Sequence, residues 1–220
     1  MQTVGILGGT GVLGKAIAVS VFQNYEKVLI GSRSIDRARS VVEEIITEKN
    51  GLQDSLLAST NEQVASNADI IIASLPHRGT ISTIELLYPN FKGNQLLISA
   101  VAPVEKSGNE FYSPSNDQDK SISQQISDIV GDKAEVATAF QTIPAKMLYS
   151  GKEISADVPV CCKKEVYRYA AEVVNQIKGL RPLYVGGLNQ SKQIEGLTSF
   201  LLNIAMGNKL KSPTIKINSF

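Results

Sequence analysis

A chain of 220 residues suits one large domain, or one with a small appendage, and can bury a sizeable core. Its 22 Lys and Arg stand against 21 Asp and Glu, so the formal net charge is +1 and no basic excess points to nucleic acid. One histidine (His77) and two adjacent cysteines (Cys161, Cys162) are too few for a four-ligand Cys/His zinc site, and no metal is expected. Adjacent cysteines do not readily pair with each other, which fits a reducing compartment.

The first 22 residues are apolar enough to imitate a signal peptide. They lack a basic leading region, carry Lys15 and hold five glycines between Gly5 and Gly14, so a strand and turn explain them better. No uncharged apolar run reaches about 18 residues, so no membrane span is expected. The expectation is a soluble cytoplasmic protein.

Val4-Gly5-Ile6-Leu7-Gly8 reads as a short buried strand, and Leu13, Ile17 and Val21 repeat at helical spacing. Val28-Leu29-Ile30 predicts a second strand, followed by a helical stripe of Ala38, Val41, Val42, Ile45 and Ile46. Asn50-Gly51 is a turn signal. Ser55–Ala58 suggests a third strand, and Thr60 with Gln63 forms a capping-box pattern ahead of a short helix. Ile70-Ile71-Ile72-Ala73 is a buried strand running into Leu75-Pro76. A helix over Thr80–Leu87 and a strand at Leu96-Leu97-Ile98 continue the alternation. The stretch from Pro103 to Ser121 is polar and loose, and no role is assigned to it. Ile122, Ile126 and Ile129 mark another helix, and Val136–Ala139 another strand. Further on, helices are expected over Lys163–Ile177 and Ser191–Met206, with a strand at Leu183-Tyr184-Val185.

Apolar strands alternating with amphipathic helices indicate an α/β fold with a doubly wound parallel sheet covered on both faces. The regular alternation ends near Pro144. Residues 1–145 are therefore expected to form the nucleotide-binding domain, and residues 146–220 a small C-terminal α+β domain closing the substrate cleft.

Gly9, Gly11 and Gly14 make a G-x-G-x-x-G string between a predicted strand and a predicted helix, the context in which the string carries meaning. Gly9 permits the tight turn, Gly11 the approach of a pyrophosphate, and Gly14 close packing of helix on strand. The helix N-terminus then offers free N–H groups to the anion. Sites for NAD usually place a carboxylate at the end of the second strand. Here Gly31-Ser32-Arg33-Ser34 stands there, with Arg37 one turn on, and a hydroxyl with two guanidiniums suits the 2′-phosphate of NADP. Asp36 reads as a first-turn helix charge.

Chemistry-bearing candidates are few. Tyr88 and Lys92 match a Y-x-x-x-K string, but Pro89 breaks the helix that would align them, and the pair is rejected. His77 stands at a strand end, either against a nicotinamide or as a solvated histidine. Cys161 lacks a nearby base in the sequence and reads as a packed thiol. Gln141 and Thr142 follow a strand and are candidates to line a site. Arg181 and Lys192 are either contacts for an anionic tail or solvated surface charges.

Ile6–Gly14 and Gly31-Ser32-Arg33, taken together, resemble the NADPH-dependent reductases of the deazaflavin coenzyme F420. Thr142–Ala145, Asp157–Cys161, Gly179–Leu183, Gly196–Thr198 and Leu202–Ile204 are similar to the C-terminal half of that family, in the same order. The resemblance implies a Rossmann-type fold, a homodimer, and reversible hydride transfer between the nicotinamide C4 and the deazaflavin C5, with no catalytic side chain required. It implies that Thr10, Gly11, Val12 and Leu13 hold the pyrophosphate, within the loop that Gly9 and Gly14 shape, and that Ser32, Arg33 and Arg37 hold the 2′-phosphate. Leu75, Gly79, Ala102 and Ala145 would contact the rest of the nucleotide. Val101, Gln141, Thr142 and Ile143 would face the deazaflavin. Gln141 stands where the resemblance leads one to expect histidine; it can donate to a ring carbonyl but cannot become a cation. Two alternatives share the NADP site: reduction of another acceptor (a flavin, a metal chelate or an imine), or a non-catalytic module that senses NADPH.

Overall fold

The computed structural model describes residues 2–49, 55–114 and 119–218. The chain begins with β1 (Thr3–Leu7), α1 (Val12–Val21), β2 (Lys27–Ser32) and α2 (Ile35–Glu48). The Asn50-Gly51 turn lies outside the described residues. Next come β3 (Leu56–Thr60) and α3 (Asn61–Asn67). At their junction Gln63 N donates to Thr60 Oγ1 at 3.2 Å and Thr60 N to Gln63 Oε1 at 2.9 Å, the reciprocal cap read from the sequence. β4 (Ile70–Ala73), α4 (His77–Leu87) and β5 (Gln95–Ser99) follow.

The loose polar stretch carries secondary structure. It carries an antiparallel hairpin, β6 (Glu105–Ser107) with β7 (Glu110–Tyr112), too short and too polar to show a periodicity. The chain continues through α5 (Ile122–Val130), β8 (Ala134–Thr138), α6 (Ala145–Ser150) and β9 (Ala156–Cys161). It closes with α7 (Tyr167–Asn175), β10 (Leu180–Gly186) and α8 (Ser191–Asn208).

Among the described residues one sheet has the order β3-β2-β1-β4-β5-β8-β9-β10. Its first six strands are parallel, in the order of a dinucleotide-binding Rossmann sheet. The pleat explains why these strands are apolar on both sides. Ile70 and Ile72 pack with α1 and α2 on one face, whereas Ile71 and Ala73 pack with α3, α4 and α5 on the other. This is the α/β doubly wound architecture expected from the alternation.

The boundary placed between residues 145 and 146 falls within the span of this sheet. β9 meets β8 antiparallel at Thr138 and Cys161, and β10 runs parallel to β9. β9 escaped the sequence reading because Pro159 interrupts it. The proline is tolerated because β9 pairs with β8 only at its end, leaving a margin that needs few donors. Asp157 ties this margin to the C-terminal tail. Its carboxylate, 1% exposed, accepts from Arg181 at 2.7 and 2.8 Å and from Ile217 N at 2.6 Å. Among the described residues no helix is long and apolar enough to cross a membrane.

Candidate active site

The strand order reverses between β1 and β4, so the loops after these two strands diverge and open a crevice at their C-terminal ends. The glycine loop lies on one side of it. Gly8 has φ +69°, and a Cβ there would sit 2.7 Å from the Ser74 carbonyl oxygen. Gly9 N donates to the Gly31 carbonyl at 2.8 Å, which fastens the turn to β2. A Cβ on Gly14 would sit 2.7 Å from the Gly9 Cα, so helix and loop touch backbone to backbone. Gly11 differs: its nearest non-neighbour is the Gly8 oxygen, at an ordinary 3.4 Å. Gly9 and Gly14 thus serve the packing of the loop, and Gly11 faces open space.

Gly11 is also the N-cap of α1. It supplies no side-chain cap, and the first turn holds no acidic residue. The N–H groups there remain available to an anion, which the helix dipole favours.

These residues border a cavity of about 650 Å³. Thr10, Gly11, Val12 and Leu13 form its helix-terminus end, with Ser32, Arg33 and Arg37 at the tip of β2. Ser32 is buried, while Arg33 and Arg37 are exposed and form no side-chain ion pair among the described residues. Asp36 instead pairs with Arg39 at 3.2 Å, as suits a first-turn charge. Two unengaged guanidiniums beside a hydroxyl are a donor set for a phosphate. The opposite wall includes Leu75, Gly79, Val101, Ala102, Gln141, Ile143 and Ala145. Beyond its chain neighbours and its own helix, a Cβ on Gly79 would meet no atom of the described residues within 4 Å, so there is room beside it.

Three sequence candidates lie off this cavity. Gly9 and Gly14 lie behind the loop, and Thr142 faces a neighbouring apolar cavity of about 300 Å³. That second cavity shares Gln141, Ile143, Ala145 and Thr198 with the first and is walled by Leu201, Leu202, Ala205 and Pro213.

Gln141 sits differently from the expectation. It is buried, and its Nε2 donates to the Ser99 carbonyl at 2.8 Å, with the Val101 carbonyl at 3.4 Å. The amide hydrogens are therefore turned into the protein rather than toward a ligand carbonyl. Phe140, at φ +78°, makes the unusual bend that carries the chain from β8 into this position.

The remaining candidates fall elsewhere. His77 opens α4 outside the main cavity, with Nε2 3.5 Å from the Glu105 carboxylate. Arg78 holds the same carboxylate at 2.6 Å and keeps it below the usual carboxylate range. Cys161 and Cys162 are buried free thiols, pushed up by burial to about 12 and about 11. Arg181 is engaged by Asp157 and Lys192 by Asp119. Lys92 pairs with Asp69 at 2.7 Å, and Tyr88 lies in a short 3₁₀ turn with Pro89, as the rejection of that pair required.

The sequence reading missed Asn61 and Thr198. Asn61, 3% exposed, opens α3 and accepts from Gly8 N at 3.3 Å, bracing the loop from beneath. Thr198 on α8 donates to the Gln141 carbonyl at 2.8 Å. Asn61 follows the capping threonine Thr60, and Thr198 lies in the Gly196–Thr198 motif, but only the tertiary fold turns either residue inward.

The family described as NADP oxidoreductase, coenzyme F420-dependent, matches residues 3–103. An F420-dependent NADP reductase of Methanocaldococcus jannaschii is 28% identical over 225 residues, covering 98% of each chain. The likeness to F420-dependent NADP reductases thus runs nearly the whole length of this chain, and residues 3–103 match the family model. Another F420-dependent NADP reductase, from Methanothermobacter marburgensis, is 27% identical over the same 98% of each chain. Among solved structures, a candidate F420-dependent NADP reductase from Arthrobacter sp. FB24 superposes with a TM-score of 0.82. The match covers 100% of both chains at 16% identity, so likeness of fold outlasts likeness of sequence. Glycerol-3-phosphate dehydrogenase of Coxiella burnetii superposes at 0.61 with 13% identity, covering 84% of this chain and 54% of that one. The fold is thus shared beyond the F420-dependent family.

Proposed function

We propose that this protein catalyses reversible hydride transfer between NADP(H) and the deazaflavin coenzyme F420. One observation carries the reading: a single cavity joins an uncapped helix N-terminus, two arginines without an ion pair among the described residues, and the ends of β5 and β8. When bound, the two cofactors supply the redox chemistry themselves, through the nicotinamide C4 and the deazaflavin C5.

The residues bind, orient and exclude water. The backbone from Thr10 to Leu13 holds the pyrophosphate, with Gly9 and Gly14 shaping the loop beneath it. Ser32, Arg33 and Arg37 hold the 2′-phosphate and so select NADP over NAD. Leu75, Gly79, Ala102 and Ala145 support the rest of the nucleotide, and Val101 with Gln141, Thr142 and Ile143 faces the deazaflavin. No side chain acts as base or nucleophile; the protein contributes proximity and alignment.

Residues 1–145 carry the cofactor in this reading, and residues 146–220 close the acceptor side, where Thr198 reaches the cavity. A homodimer is supported by the exposed apolar side chains Phe200, Leu202 and Met206 along α8. The two buried free thiols support a cytoplasmic location. Mixing the protein with NADPH and oxidised F420 tests the function: the deazaflavin's visible absorbance falls. Tight NADPH binding with unchanged absorbance would refute it.

A further inference from the structure

Gln141 is 6% exposed and gripped at both ends. Its backbone oxygen accepts from Thr198 Oγ1 at 2.8 Å, and its Nε2 donates to the Ser99 carbonyl at 2.8 Å, with the Val101 carbonyl at 3.4 Å. Both side-chain neighbours are carbonyl oxygens, which only accept. A flipped amide would set oxygen against oxygen, so chemistry fixes which way it points. Oε1 is left buried, with no hydrogen-bond partner among the described residues. Such an orphan is free to accept from a donor on a bound molecule.

Where Gln141 stands says which molecule. The residues set for the 2′-phosphate, Ser32, Arg33 and Arg37, border the larger cavity alone, whereas Gln141 borders both cavities. It therefore stands where the larger cavity meets an apolar space walled by Leu201 and Leu202. We propose that Gln141 Oε1 accepts a hydrogen bond from the imide N–H of the hydride-accepting ring, the N–H flanked by two carbonyls on a pyrimidinedione edge. Gln141 is then a specificity residue that selects acceptors carrying that proton. This rests on the reading above that the acceptor is a deazaflavin. It reverses the polarity expected of a glutamine placed here to donate.

The test is a cycle between ligand and protein. F420 and its derivative methylated at the imide nitrogen are compared as acceptors for the wild type and for Gln141→Met. In the wild type, methylation raises the acceptor KM by roughly tenfold or more and leaves the NADPH KM unchanged. In Gln141→Met the two acceptors fall within about twofold of each other, because the group that distinguished them is gone. NADPH affinity and thermal melting report whether the variant is folded. If it is not, Thr198→Val, which loosens the grip on the Gln141 backbone, is expected to shrink the wild-type discrimination. No methylation penalty in the wild type, or an equal penalty in wild type and variant, overturns the proposal. If NADPH binds and neither deazaflavin is reduced, the functional reading fails separately. FMN and its imide-methylated derivative then serve as binding probes, and equal binding of the two overturns the role of Gln141.

Discussion

Gly14 and Gly9 touch through their backbones: a Cβ on Gly14 would lie 2.7 Å from the Gly9 Cα and 2.9 Å from the Gly8 oxygen. Gly11, in the same loop, has ordinary clearance at 3.4 Å. The three glycines of one motif thus answer to different forces. Gly14→Ala forces backbone apart, which outweighs the gain of about 1 kcal/mol in helix propensity, so its melting temperature falls. Gly11→Ala melts within a few degrees of the wild type but binds NADPH at least roughly tenfold more weakly, about 1.4 kcal/mol. Melting curves and NADPH titrations of both variants check the separation.

Arg33 is exposed beside the buried Ser32 and carries no ion pair among the described residues. Replacing it with Ala removes a charge-assisted contact and is expected to weaken NADPH by roughly ten- to a hundredfold while changing NADH little. The preference also declines as ionic strength rises. Titrations with both nucleotides at two salt concentrations measure it. Equal losses for NADPH and NADH would remove the 2′-phosphate assignment.

Asp157 predicts an acid limb of stability. Its hydrogen bonds to Arg181 outweigh burial and hold its carboxyl below the usual carboxylate range. A carboxyl whose folded value is lowered stabilises the protein above the unfolded value, near pH 3.9, and loses that contribution as pH falls through the folded value. Asp157→Asn is expected to lower the melting temperature near neutral pH and to flatten its decline in acid. Melting temperatures of both proteins from pH 3 to pH 7 check this.

Cys161 and Cys162 are buried, and burial raises both thiols far above the ordinary thiol range. The native protein is expected to resist iodoacetamide at about pH 8 and to keep its activity. Both thiols should label once the chain is unfolded, as intact mass shows.

The sequence made the six-stranded parallel body readable because each strand is apolar on both faces, as in Ile70–Ala73, and each is followed by a helical stripe. The loop glycines and the Thr60–Gln63 cap were readable for a related reason: both are local, fixed by spacing along the chain. β9 was hidden by Pro159, and the β6–β7 hairpin by its polarity. The cavity wall was legible where a motif defined it, from Thr10 to Leu13 and at Ser32 and Arg33. It was not legible where a side chain's role depends on a distant partner. Asn61 reaches Gly8 across 53 positions, and the Gln141 amide takes its orientation from Ser99, 42 positions away.

The central claim is direct transfer between two cofactors held together, with no protein group relaying the hydride. The measurement is a single turnover with NADPH deuterated at the transferring C4 position, in ordinary water, followed by mass analysis of the reduced F420. The account predicts that the deuterium appears at the deazaflavin C5. Reduction without deuterium in the product, or no reduction at all, would contradict it.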